Sequence, residues 1–212
     1  MRNTCLPATL LFLSLAACTP QRVEAPAYGY QAANLDNDGR SEKLRLFPPS
    51  GEVVTINLPF LIANAVFGPA GKSIYGINAE ELNGTIRRTP AILKIEFKPT
   101  RTSTMPGTAG FAIKNFAVSA QEDRLVISGR QPDAGGDRCG IFVIALPAGT
   151  AQQVLRADCR DNWHWDQISL SPTGEQAIAT VGSGFYHNLH LELINLTSGA
   201  MAPVGNGYSS GV

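Results

Sequence analysis

The sequence predicts an all-β chain made of repeated antiparallel units of four strands, on three observations. Gly (21) and Pro (14) make up about one in six of its 212 residues, a density of turn formers that suits short strands better than long helices. Nothing after the first twenty residues carries the 3.6-residue periodicity of an amphipathic helix. Two independent series of strand–turn segments recur about every fifty residues, the signature of a repeat architecture. Charge narrows the function classes. Lys+Arg and Asp+Glu number 17 each, for zero net charge, which argues against a nucleic-acid binder because neutralising phosphates needs surplus cations. With 44% hydrophobic and 16% charged residues, the chain has the apolar content for a packed core.

Met1-Arg2-Asn3-Thr4 provides a short positive start, followed by an apolar run from Leu6 to Ala17. That run is too short to span a bilayer core of roughly 30 Å and has the layout of a secretory h-region. It ends in Leu15-Ala16-Ala17-Cys18, which resembles the lipobox of bacterial lipoprotein signal peptides. The resemblance implies cleavage before Cys18, acylation of its sulfur and new amino group, and attachment to membrane lipid. More than one acyl chain would be needed, since one alone holds marginally. The other reading is an ordinary secretory signal with an incidental Cys. Thr19 stands where an Asp would favour inner-membrane retention in enterobacteria, which points to the outer membrane, facing the periplasm. Residues 1–17 are read as the signal and 18–32 as a tether.

Asn34-Leu35-Asp36-Asn37-Asp38-Gly39-Arg40-Ser41-Glu42 places oxygen side chains at positions 1, 3, 5 and 9 with Gly at 6, a pattern suited to Ca²⁺. It resembles the calcium loops of integrin-type propeller repeats, departing from them in having Asn34 for the first carboxylate and the longer Glu42 for the last. Asn34, Asp36, Asp38, Arg40 and Glu42 are the candidate ligands. An Asx-rich hairpin turn is the alternative reading of the same residues.

The repeats begin with a hairpin near residues 43–58 containing Leu44-Arg45-Leu46-Phe47. Phe67-Gly68-Pro69-Ala70-Gly71-Lys72, Val118-Ser119-Ala120-Gln121-Glu122-Asp123 and Leu170-Ser171-Pro172-Thr173-Gly174-Glu175 each end one strand, turn, and start another. The second series, Phe47, Phe97, Leu146 and Leu196, is spaced 50, 49 and 50 residues apart. Two hairpins per period make four antiparallel strands, the blade of a β-propeller; an antiparallel β-sandwich is the alternative. Ser171-Pro172-Thr173-Gly174-Glu175 resembles the Ser-Pro-Asp-Gly-Lys turn of TolB-like, WD40-like propellers, and Gly68-Pro69-Ala70-Gly71-Lys72 matches it more weakly. The middle copy lacks both Pro and Gly. Residues 33–212 are thus read as a partial propeller: a half-blade 33–60, then blades 61–110, 111–162 and 163–212. About three and a half blades is fewer than a closed ring uses. The expectation is a fragment of a longer chain, or a protein that closes with another copy.

Cys139 and Cys159 flank a predicted hairpin whose midpoint is residue 149. Antiparallel pairing about that midpoint would set them directly opposite, at disulfide spacing, in an oxidising compartment; two unpaired thiols are the alternative. His187 and His190 are three apart and would not share a strand face, and His164 has no obvious metal-binding partners. Trp163 and Trp165 precede a blade's first strand, where they either contact a partner on the propeller face or pack under a loop.

The sequence has no Gly-x-Ser-x-Gly elbow, Walker loop or dinucleotide fingerprint. The leading expectation is therefore a non-enzymatic lipoprotein that binds a protein partner through its propeller face, with no nucleic acid involved. The rivals are the propeller portion of a larger enzyme, such as a prolyl oligopeptidase-like peptidase, and a calcium-dependent adhesion protein.

Overall fold

A computed structural model describes residues 29–33, 40–47, 51–69, 71–82, 85–97, 99–159, 164–182 and 190–204. All regular structure in this range is β: β1 (Gly29–Ala33), β2 (Arg40–Phe47), β3 (Val54–Phe67), β4 (Ser73–Leu82), β5 (Thr85–Phe97), β6 (Thr100–Thr104), β7 (Ala112–Val118), β8 (Arg124–Gln131), β9 (Arg138–Ala145), β10 (Thr150–Ala157), β11 (His164–Leu170), β12 (Gln176–Gly182), β13 (His190–Asn195) and β14 (Met201–Pro203). These form a six-stranded sheet in the order β1 to β6 and two four-stranded antiparallel sheets, β10-β9-β8-β7 and β11-β12-β13-β14. This is the architecture of propeller blades. Among the described residues, no strand of the third sheet pairs with the first.

The fifty-residue repeat reappears in the hydrogen bonds. The N–H groups of Gly68, Ser119 and Ser171 donate to the carbonyls of Ser73, Arg124 and Gln176, at 2.8, 3.0 and 2.9 Å. Those of Phe97, Leu146 and Leu196 donate to Lys72, Asp123 and Glu175, at 3.1, 2.8 and 2.9 Å. These three anchors of the second series therefore tie the ends of their strands to the turns of the first.

The middle turn, which lacks the sequence signature, folds like its neighbours. Gly71 and Gly174 adopt φ of 64° and 69°, and Glu122 takes the same left-handed position at 55°. Ser119 braces this turn from within, as Ser171 braces the third. The Ser119 Oγ accepts from the N–H of Arg124 at 3.0 Å and donates to Asp123 Oδ1 at 2.7 Å, locking the turn from inside.

Three layers of core alternate with the sheets. Within the six-stranded first sheet, Leu44 and Leu46 of β2 and Ile56 and Leu58 of β3 pack on Ile74 of β4 and Ile95 and Phe97 of β5. Tyr75, Ile77 and Ile92 of the first sheet meet Phe116, Leu125, Ile127 and Phe142 of the second. Val126 and Ile141 on the other face of the second sheet meet Ile168, Ala177, Ala179 and Ile194 of the third. Leu125-Val126-Ile127 and Ile141-Phe142-Val143-Ile144 are continuous apolar runs because the middle sheet is covered on both faces. Each such buried side chain stabilises the fold by about 1.5–3 kcal/mol relative to exposure.

β7 runs beside β11 and close to β3 and β5. At a register shift in β3, Asn64 adopts φ of 50° and its Nδ2 donates to the Lys114 carbonyl on β7 at 2.7 Å. Asn tolerates that conformation better than most residues.

Two sequence expectations change. Residues 29–32, read as the end of a tether, belong to β1, whose Gly29 pairs with Phe47 of β2. Cys139 and Cys159 are joined, with Cα atoms 5.2 Å apart, but they are not directly opposite. The hairpin turns at 146–149, a bulge falls between Gln153 and Leu155, and Cys139 faces Ala157. The chain carries Cys159 back from just beyond the strand end. Asn34, Asp36 and Asp38 of the candidate calcium loop lie outside the described residues, as do Cys18, Trp163 and His187.

The disulfide closes a loop of 20 residues, a cross-link worth about 3 kcal/mol by chain entropy. Cys139→Ser paired with Cys159→Ser should lower the melting midpoint by roughly 10 °C in calorimetry. An unchanged midpoint would mean the bridge does not form.

Candidate functional site

The turns 68–72, 119–123 and 171–175 follow one another along one end of the sheets, because each closes the first hairpin of its unit. They touch in sequence. Gly68 is so close to Glu122 that an added Cβ would lie 3.1 Å from its Oε1, and Arg124 Nη1 donates to the Gly174 carbonyl at 3.3 Å. Between the first two turns is a cleft of about 430 Å³, lined by Pro69, Lys72 and Ser73 on one side, Ala120, Gln121 and Glu122 on the other, with Lys94 and Glu96 of β5.

Lys94 holds the cleft together. Its Nζ donates to Glu122 Oε2 at 2.6 Å, lies 3.9 Å from Glu96 Oε1, and stands 5.5 Å from the Tyr75 ring centroid. Tyr75 is fully buried, and its hydroxyl makes no hydrogen bond of standard geometry; Lys94 and Glu122 are the charged groups that act on it. Burial, reinforced by the Glu122 charge and opposed by Lys94, pushes the Tyr75 phenol up to about 12. For Lys94, burial works against the charged form, but hydrogen bonding to Glu122 and the electrostatics of Glu122 and Tyr75 outweigh it and leave the ammonium above its ordinary range. Two lysines and two glutamates line the cleft, so it presents hydrogen-bonding groups without a dominant sign of charge.

The left-handed backbone of Glu122 costs about 1–2 kcal/mol, and a partly exposed ion pair returns up to about 1 kcal/mol. The two nearly cancel, which allows a charged residue at a position that favours glycine.

The sequence-predicted residues lie elsewhere. Trp165 is the second residue of β11, opposite Val181 and at the far end of that strand from turn 171–175. The Cys139–Cys159 bridge is at that far end too, since β9 runs from Cys139 toward the turn end at Ala145. There Arg130 pairs with Asp137 at 3.1 Å and Arg138 with Asp133 at 3.4 Å, bracing the loop between β8 and β9. Arg40 and Glu42 are on β2, and His164 is on β11. His190 Nε2 meets Glu192 Oε1 at 3.0 Å. Among the described residues, no group of three His, Cys, Asp or Glu is arranged to hold a metal. Sequence reading missed Lys94, Glu122 and Tyr75; the available signal was Glu122 itself, an acidic residue where the other two turns have glycine.

No protein-family model matches the chain, and no curated protein matches it. Solved structures do. A nidogen/laminin complex superposes with TM-score 0.55 at 12% identity, over 79% of this chain and 59% of that one. An oligogalacturonate lyase in complex with manganese gives 0.54 at 11%, over 78% and 46%. A structure from a study of two prolyl endopeptidases gives 0.52 at 11%, over 87% and 30%. At these identities the likeness shows a β-propeller-like fold, and this chain spans less than two thirds of each.

Two outcomes are expected at the cleft. Glu122→Ala, which keeps the strained backbone and loses the ion pair, should cost about 1 kcal/mol in urea unfolding, while Glu122→Gly should be close to neutral; equal losses would refute the cancellation. Tyr75 keeps its proton in the folded chain to about pH 12 but loses it near its ordinary 10.0 when unfolded. A raised folded value means its contribution is intact below pH 10 and is lost as pH rises toward 12. Lys94, also raised, acts in the same direction above 10.5. Tyr75→Phe should therefore flatten the fall in stability between pH 10 and 12 and leave pH 7 stability unchanged or improved.

Proposed function

We propose that this protein is a lipid-anchored component of the bacterial envelope whose TolB-like propeller blades bind a protein partner and carry out no chemistry of their own. One observation carries the non-catalytic reading. Lys94 of the cleft and the buried Tyr75 beside it are both pushed upward, away from neutral pH, whereas general acid–base catalysis draws such groups toward it. Lys94 is also occupied by Glu122, as expected of a group that shapes a surface.

The partner surface is the end bearing the Cys139–Cys159 bridge and Trp165. A braced loop there presents groups without a large ordering cost on binding, which favours affinity. The anchor follows from the lipobox resemblance at Leu15-Ala16-Ala17-Cys18 and places the blades at the periplasmic face of the outer membrane.

Mass spectrometry of the membrane-extracted protein should find an N-terminal Cys18 carrying acyl chains; an unmodified Cys18 overturns the anchor. Proximity labelling in intact cells should mark a partner whose labelling drops at least tenfold with Trp165→Ala and is unchanged with Glu122→Gln. Loss with Glu122→Gln alone would move the binding surface to the cleft. Turnover of peptide substrates by the full chain would overturn the non-enzymatic reading.

A further inference from the structure

One trio of apolar residues occurs three times at the repeat spacing, each on the side of its sheet that faces the next unit. In the first sheet it is Tyr75, Ile92 and Met105, with Met105 N–H donating to the Ile92 carbonyl at 2.8 Å. In the second it is Val126, Ile141 and Leu155, with Leu155 paired to Ile141 across β9 and β10. In the third it is Ile178, Leu191 and Val204, with Val204 N–H donating to Leu191 at 2.8 Å. The first trio is buried by the second sheet. In the second trio, Val126 and Ile141 are 0% exposed and Leu155 packs beside them, under the third sheet. In the third trio, Ile178, Leu191 and Val204 are 41%, 43% and 43% exposed. The opposite face of that sheet is already spent, since Ala177, Ala179, Val181 and Ile194 are buried against the second sheet.

The strand alternation assigns Gln176, Ile178 and Thr180 of β12, Leu191, Leu193 and Asn195 of β13, and Ala202 and Val204 to this outward face. None of them is charged. A sheet face meant for water alternates apolar-in with polar-out and carries charges on the outside, as the other end of the molecule does, where Lys43 and Arg45 of β2 are exposed while Leu44 and Leu46 are buried. The third sheet thus presents the interior contact surface of a blade.

We infer that the outward face of β12–β14 is an interface between two copies of this chain, packed face to face about a twofold axis. Charge selects this arrangement. An uncharged apolar face is complementary to itself, and a twofold contact requires self-complementarity. Packing the same face head-to-tail onto the N-terminal hairpin of another copy would instead desolvate Lys43 and Arg45. The inference stands on the third sheet alone and does not depend on the partner surface proposed above, which is at the strand ends.

Sedimentation equilibrium of the full chain in density-matched detergent should show a dimer. Ile178→Glu and Leu191→Glu each place a carboxylate at the contact and should weaken dimerisation at least about 100-fold, while Arg45→Glu should leave it within about threefold of the parent. Circular dichroism and the melting midpoint of the dissociated variants should match the parent at a concentration where it too is monomeric. Leu191→Gln, which adds no charge, should give a smaller loss. A monomer at every concentration, or a dimer indifferent to both glutamates, overturns the interface. Dissociation by Arg45→Glu overturns the twofold arrangement in favour of head-to-tail packing.

Discussion

A β-sheet that is apolar on both faces persists only where both are covered, and the rest of this structure depends on that constraint. The middle sheet satisfies it fully. Its Leu125 and Ile127 turn toward the first sheet while Val126 turns toward the third, so one strand feeds two cores. The first sheet satisfies it with its own strands, Leu44 and Leu46 of β2 packing against Ile74 of β4 and Ile95 of β5. Sheets stacked in this way approach closely. A Cβ on Gly107 would overlap the Gly149 carbonyl, so glycine is required where the 146–149 turn of the second unit meets the chain leaving the first.

Contact between sheets also explains how a turn survives without its sequence signature. A propeller turn of this kind needs a left-handed residue, which Gly supplies at little cost. The middle turn has Glu122 there. Its side chain reaches Lys94 on the preceding unit, and Ser119 closes the turn internally, so tertiary and local hydrogen bonds together offset the backbone strain. The exchange turns a structural position into part of a polar cleft. Non-glycine residues in this conformation collect at sites where the surroundings over-determine them, as they do here.

The two ends of the blades are consequently different. One end is a line of turns where Lys94 is held between Glu122 and Glu96. The other carries a disulfide, two arginine–aspartate pairs and the start of β11 at His164 and Trp165. A surface with balanced, paired charges recognises by shape and hydrogen bonding, and a braced loop lowers the entropy lost on binding. The likeness of the fold extends to proteins as different as nidogen and an oligogalacturonate lyase, so the fold by itself names no activity.

The all-β class and the fifty-residue repeat were legible in the sequence. Each rests on interactions among close neighbours: alternation within a strand, and turn residues that set φ within a few positions. The anchors Phe97, Leu146 and Leu196 were readable for the same reason, as each marks where a strand meets its own turn. The disulfide partners were readable, but their register was not, because the bulge between Gln153 and Leu155 shifts it. The cleft was not readable at all. Lys94 and Glu122 are 28 residues apart, and Asn64 and Lys114, like Arg124 and Gly174, are 50 apart. Each pair forms only because two sheets bury a shared apolar layer and bring their ends together. Local chemistry determined the units, and the packing of one unit on the next decided which polar side chains would meet.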